Sequence, residues 1–263
     1  MLGAGAVPFL IIEGEHVALC TVHWYSRALE RMTAANVIVP EAGAGPFPVL
    51  YLLHGLSDDY TAWVRQTRIE HYAAEYPFII VMPDGGRGYS TDAQEGERYE
   101  SAVVCDLIPF IDGSFRTDAC RAGRAIGGLS MGGYGALKLA LGHPDLFASA
   151  TSHSCSRALT WTHEPLSREQ KFTRVFGIDP RGGPGDLFTL TQGLDRRMLP
   201  ALRLDCGTED PLLEGNRRFH QHLDRLALPH EYAEFSGGHT WGYWDERIQE
   251  ALHFHQRSLA DAA

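Results

Sequence analysis

Ala125-Ile126-Gly127-Gly128-Leu129-Ser130-Met131-Gly132-Gly133-Tyr134-Gly135-Ala136 runs from an apolar stretch through a glycine turn into a helical pattern. Ala125 to Gly128 reads as a buried strand and Gly132 to Leu141 as a helix that stops at Gly142. Gly128 to Gly132 fits G-x-S-x-G, with the strand before it and the helix after it that this motif requires. The reason for the glycines is steric. A serine in so sharp a turn has unusual backbone angles, and neighbours two residues to either side clash if they carry a Cβ. The helix starting at Gly132 then aims its free amides and positive dipole end at the serine. A phosphate-binding loop is excluded because no Gly-Lys-Ser/Thr follows, and the glycine spacing is wrong for a dinucleotide fingerprint.

The same alternation extends outward. Val49 to Leu53 and Phe78 to Met82 are short, solidly apolar runs closed by His-Gly and Pro-Asp-Gly, which suits parallel strands buried on both faces. Phe147 to Ser152, Leu202 to Cys206 and Glu231 to Phe235 continue the series. Helices are expected over Trp63 to Tyr76, Ser101 to Phe115 (bent at Pro109), Leu213 to Leu226 and Tyr243 to Ser258. Glu15 to Trp24 and Arg31 to Val39 read as antiparallel strands. The whole is an α/β chain: a mostly parallel central sheet with antiparallel N-terminal strands and helices on both faces. Residues 155–200, with Gly182-Gly183-Pro184-Gly185 and no clear strand, read as a short helical, cap-like insertion over one end of the sheet. The expected organisation is a single domain over residues 1–263.

A serine hydroxyl needs a base. His239, in Ser236-Gly237-Gly238-His239 just after the last strand, would stand with Ser130 at the carboxyl ends of strands. His220, His222, His253 and His255 fall on helices and read as solvated or supporting residues. Their i,i+2 spacing does not put a pair on one helical face, so no metal is expected there. The matching carboxylate should follow the penultimate strand. Asp210 is chosen over Asp205, which lies within the strand, and over Glu209, one residue early. Its role would be to hold the imidazole tautomer. Two backbone donors for a developing oxyanion are expected at Met131 and at Leu56, in the loop where Gly55 permits close approach.

The chain has 263 residues, 44% hydrophobic and 21% charged, with a formal net charge of −10. The proportions are globular, and no apolar run reaches about 18 residues, so a transmembrane helix is excluded. The negative charge disfavours nucleic acid and anionic membrane surfaces. Cys20, Cys105, Cys120, Cys155 and Cys206 are odd in number and widely spaced, which argues against a disulfide framework and for a cytoplasmic location. Cys20, Cys105 and Cys206 sit in apolar surroundings and read as packed thiols. The uncharged N-terminus, Met1 to Ile12, with Pro8, is read as part of the fold and not as a signal peptide.

The stretches LLHGLSDDYTAW (52–63), GGLSMGGYGALKLAL (127–141), DCGTEDPLLEGN (205–216) and FSGGHTWGYW (235–244) together resemble the esterase D branch of the α/β-hydrolases. That group includes tributyrin-type carboxylesterases, feruloyl and acetylxylan esterases, S-formylglutathione hydrolases and mycolyltransferases. The resemblance implies the α/β-hydrolase fold, with Ser130, Asp210 and His239 as a triad and Leu56 and Met131 as an oxyanion hole. S-formylglutathione hydrolases read H-S-M-G-G-H-G-A at the turn. Here Leu129 and Tyr134 depart from that, which brings the chain nearer the tributyrin-type and carbohydrate esterases.

The expected activity is hydrolysis of small acyl esters by a serine carboxylesterase. The alternatives are an S-formylglutathione-type thioesterase, an acyltransferase to a sugar or other alcohol, and a catalytically inactive binding protein on the same fold. Trp63, Trp161, Phe172, Phe176 and Trp241 are candidates to shape the substrate pocket or, equally, to pack the insertion. No metal, nucleotide or organic cofactor is implied. The expected partner is a small-molecule ester; homo-oligomerisation stays open.

Overall fold

The computed structural model describes residues 16–156 and 170–262. The N-terminal stretch and Trp161 lie outside the described residues. Eight strands form one sheet in the order β1-β2-β4-β3-β5-β6-β7-β8. They are β1 Val17–Ser26, β2 Arg31–Pro40, β3 Val49–Leu53, β4 Ile79–Pro83, β5 Arg124–Leu129, β6 Ser149–His153, β7 Ala201–Gly207 and β8 Glu231–Phe235. β1 pairs with β2, and β2 with β4, antiparallel. Every other pairing is parallel. This is the α/β-hydrolase arrangement, mostly parallel with an antiparallel N-terminal edge.

The solidly apolar strands work because both sheet faces are covered. In β3, Val49, Tyr51 and Leu53 turn to one side, into an apolar cluster built also from α5 (Met131–Gly142) and, farther along the sheet, α8 (Leu213–Arg225). Leu50 and Leu52 turn to the other side, into a second cluster that includes residues of α1 (Ala62–Gln66), α2 (Ile69–Ala73) and α9 (Trp241–Ala262). The two-residue period of a strand thus feeds two cores at once.

The region expected as one helix from Trp63 to Tyr76 is two short ones. Thr67 breaks it: its hydroxyl donates to the Trp63 carbonyl at 2.5 Å and accepts from the Ile69 amide at 3.2 Å. A hydroxyl that offers the backbone other partners interrupts the ladder. The stretch around Ser101 to Phe115 is helical, as α3 (Tyr99–Ser101), a wide π turn (Ala102–Leu107) and α4 (Ile108–Ser114). Pro109 has no amide for the Cys105 carbonyl, and the turn before it widens accordingly. Cys105 itself is exposed and Cys155 is buried, which corrects the packed-thiol reading of Cys105. Within the insertion, α6 (Gln170–Phe176), α7 (Leu187–Gly193) and a 3-10 turn (Arg196–Met198) are helical, and no strand falls among its described residues.

Candidate active site

Ser130 sits between β5 and α5 at φ 50° and ψ −112°, a left-handed conformation that costs a non-glycine residue about 1–3 kcal/mol. The surroundings enforce it. The Ser130 amide donates to the His153 carbonyl at 2.8 Å, and the Ser130 carbonyl accepts from Tyr134 at 3.0 Å. A Cβ on Gly132 would stand 2.4 Å from the Leu53 carbonyl oxygen, and one on Gly128 would stand 2.6 Å from the Gly132 carbonyl carbon. Both are backbone collisions, so only glycine lets strand, turn and helix approach this closely.

Three loops at the carboxyl ends of β5, β7 and β8 converge. The Ser130 hydroxyl lies 3.0 Å from His239 Nε2, to which it donates. His239 Nδ1–H donates to Asp210 Oδ2 at 2.8 Å. The Asp210 side chain is fully buried, while His239 keeps 30% exposure. Burial alone would raise the Asp210 carboxyl. The hydrogen bonds from His239 and the Leu212 amide outweigh it and hold the carboxyl below its ordinary range, so it is ionised at neutral pH. The two loops are laced together: Thr208 donates to Phe235, Glu209 to the Gly237 carbonyl, and the Gly237 amide to the Glu209 carboxylate. The other two carboxylates are engaged elsewhere. Asp205 is buried against His153 and the Tyr243 hydroxyl, and Glu209 serves the Gly237 loop.

The Leu56 and Met131 amides donate to no protein acceptor among the described residues. A Cβ on Gly55 would lie 2.6 Å from Leu129 Cδ1 and 3.9 Å from Ser130 Cβ, so the Leu56 loop passes directly beside the serine. One residue that the sequence reading missed fixes this loop. The Gly85 amide donates to His54 Nε2 at 2.9 Å, which leaves the proton on Nδ1, and Nδ1–H donates to the Gly55 carbonyl at 2.8 Å. That carbonyl belongs to the peptide whose N–H is Leu56. His54 therefore pins the plane of the very peptide that carries the candidate donor. The His-Gly pair closing β3 was the available signal.

The pocket candidates separate. Trp63 is 1% exposed and donates to the Leu53 carbonyl, so it belongs to the core and not to a pocket wall. Trp241 stands edge-on to Trp63 and to Trp244, and Trp244 in turn meets the His239 ring edge-on at 4.9 Å. Trp244 is a neighbour that the sequence reading did not name. Phe176 is buried among Tyr89, Tyr134 and Phe172. Phe172 does face open space. With Leu56, Arg87, Tyr89, Arg174 and Val175 it lines a cavity of about 390 Å³. The cavity reaches the Ser130 side of the molecule through Leu56.

A second hydroxyl–imidazole pair, Ser149 with His255 at 2.7 Å, is wholly buried beneath the sheet and has no path to a substrate. His222 is also buried, 2.8 Å from the Thr191 hydroxyl. Neither of these histidines is solvated; both pack helices onto the body.

A partly exposed imidazole aligned between a strained serine and a buried carboxylate, on this sheet, defines a serine hydrolase of the α/β-hydrolase class. Residues 26–255 match the family described as "Putative esterase", and the chain belongs to that family. It is 27% identical over 258 residues to an acetyl esterase of Caldicellulosiruptor saccharolyticus, covering 90% of this chain and 97% of that one. Among solved structures it is similar to the Staphylococcus aureus fluorophosphonate-binding serine hydrolase FphF. The TM-score is 0.82 at 27% identity, over 91% of this chain and 98% of that one. It is similar also to the S-formylglutathione hydrolase FrmB of Staphylococcus aureus, with TM-score 0.79, 27% identity, and 91% and 99% coverage. The protein is a serine carboxylesterase. Among the described residues no helix is long and apolar enough to cross a membrane.

Proposed function

We propose that Ser130, His239 and Asp210 are the catalytic residues, and that they hydrolyse short-chain acyl esters through an acyl-enzyme on Ser130. The observation that carries this reading is the unbroken line Ser130 Oγ, His239 Nε2, His239 Nδ1, Asp210 Oδ2 at 3.0 and 2.8 Å. His239 takes the Ser130 proton as the oxygen attacks the ester carbonyl. Asp210, ionised, stabilises the imidazolium without accepting its proton. The Leu56 and Met131 amides receive the oxyanion, and each such donor is worth about 3 kcal/mol. His239 then protonates the leaving alcohol, and water repeats the sequence on the acyl-enzyme.

An acetyl esterase among the relatives supports a small acyl group. The S-formylglutathione hydrolase neighbour makes a thioester the second reading. Five unpaired cysteines support a cytoplasmic location. The test is turnover of p-nitrophenyl acetate, butyrate and octanoate and of S-formylglutathione, with fluorophosphonate labelling. Ser130→Ala is expected to lose labelling and at least about a thousandfold in kcat. Equal turnover by wild type and Ser130→Ala rejects the assignment, and preference for S-formylglutathione over every oxygen ester rejects the short-chain ester reading.

A further inference from the structure

On the far ends of the elements that carry Asp210 and His239, three more side chains converge. His220 and Asp224 lie one turn apart on α8, and His230 immediately precedes β8. Their nitrogen and carboxylate ligand atoms all fall within 4.8 Å of one another. His220 Nδ1 and His230 Nε2 are 2.8 Å apart, and Asp224 lies 3.5 Å from His220 Nε2 and 4.0 Å from His230 Nε2.

Two of the three are already oriented. His230 has only 4% of its side chain exposed. Its Nδ1–H donates to the Leu228 carbonyl at 2.8 Å, which leaves a lone pair on Nε2. A carbonyl on the second nitrogen is the usual way a metal-binding imidazole has its tautomer set. The His220 ring lies flat on Tyr232, centroids 4.2 Å apart and planes 7° apart, which fixes its rotation. Lone pairs then oppose one another. If His220 Nδ1–H donates to His230 Nε2, His220 Nε2 presents its own lone pair to the Asp224 carboxylate. That contact is repulsive unless a positive charge enters the cluster: a second proton on His220, or a cation shared by all three.

We propose that His220, Asp224 and His230 bind a borderline divalent transition-metal ion, zinc above all, in a non-catalytic site that clips the end of α8 to the start of β8. Two imidazoles and a carboxylate are the donors that such an ion selects over calcium or magnesium. The net charge of −10 favours cations over anions at the molecule as a whole. Asp224 is 60% exposed, so entry is open and solvent completes the coordination shell. The site lies at the opposite ends of α8 and β8 from the Ser130 triad, so its occupancy acts on stability and not on ester turnover.

The experiment is equilibrium dialysis of the tag-free full chain against zinc chloride near pH 7.5, with thermal melting in parallel. The wild type is expected to take up one zinc ion saturably and to melt higher with it. His230→Ala should weaken uptake by at least about tenfold while p-nitrophenyl acetate turnover is unchanged. Asp224→Asn, at an exposed position, should weaken it as well. His239→Ala should leave it intact. A shared proton only, seen as no saturable uptake by the wild type, overturns the proposal. So does uptake lost in His239→Ala but kept in His230→Ala, which would put the ion in the esterase site.

Discussion

His54 shows how a single buried side chain can set the direction of a backbone donor two bonds away. Its tautomer is fixed by the Gly85 amide, and its Nδ1–H holds the Gly55 carbonyl at 2.8 Å. Free rotation of that peptide would cost the Leu56 amide its aim, and misdirected donors lose transition-state stabilisation while ground-state binding barely changes. We expect His54→Ala to lower kcat by about tenfold to a hundredfold with KM nearly constant. His54→Asn, whose amide nitrogen stands near the position of Nδ1, should recover part of the loss. Steady-state kinetics on p-nitrophenyl acetate read both. A change confined to KM, or no rescue by Asn, would mean that His54 only fills space. The His-Gly pair marked His54 as a strand-end residue, but its role lies in a peptide plane, which leaves no spacing pattern to read. Ser130 announced itself because the collisions at Gly128 and Gly132 demand glycine, and that demand is written in the chain.

Elements were legible where burial dictated them. The runs at β3, β4 and β5 are apolar throughout because helices cover both faces, and the parallel character of the sheet followed from the alternation with helices. The break at Thr67 and the widened turn before Pro109 were not, since each depends on which carbonyl a hydroxyl or a missing amide leaves unpaired. The helix α9 was legible, but what its buried face touches was not. By sequence His255 reads as either a solvated or a supporting helix residue, with nothing to choose between them. In the structure it is fully buried between the Ser149 and Thr151 hydroxyls of β6, at 2.7 and 3.0 Å. Burial, with repulsion from His153 and Arg203, pushes His255 down from 6.5 to about 3. The sign follows directly. The unfolded chain takes up a proton below about 6.5, while the folded chain refuses it until about 3. Stability is therefore intact above 6.5 and drains as pH falls toward 3, by on the order of 4 kcal/mol in all. Urea midpoints measured from pH 7 to pH 4 are expected to fall more steeply for wild type than for His255→Gln, which has nothing to protonate. Parallel curves would contradict a neutral buried imidazole at the α9–β6 contact.

At the scale of the molecule, the insertion decides how the site behaves. We propose that residues 155–200 belong to one folding unit with the rest of the 263. The described part of the insertion has no core of its own. Phe176, Leu187 and Phe188 are buried in the same apolar cluster as Tyr51 of the sheet and Leu137 of α5. Tyr134, on the helix behind Ser130, donates to the Gly185 carbonyl at 2.6 Å. Backbone bonds from Gln94 and Glu95 to Val175 and Arg174 tie α6 to the loop after β4. Asn216 on α8 brackets Cys155 through both its amide and its carbonyl. A segment whose apolar side chains share the core of its host melts with it, because removing it exposes the apolar surface of both. Since Phe172 and Val175 wall the cavity beside Leu56, activity reports on the insertion while far-ultraviolet dichroism reports on the sheet and its helices. The two should fall together along a urea titration, with a single midpoint. Loss of ester turnover at clearly lower urea than the loss of dichroism would show the insertion melting first and would divide the chain into two cooperative units.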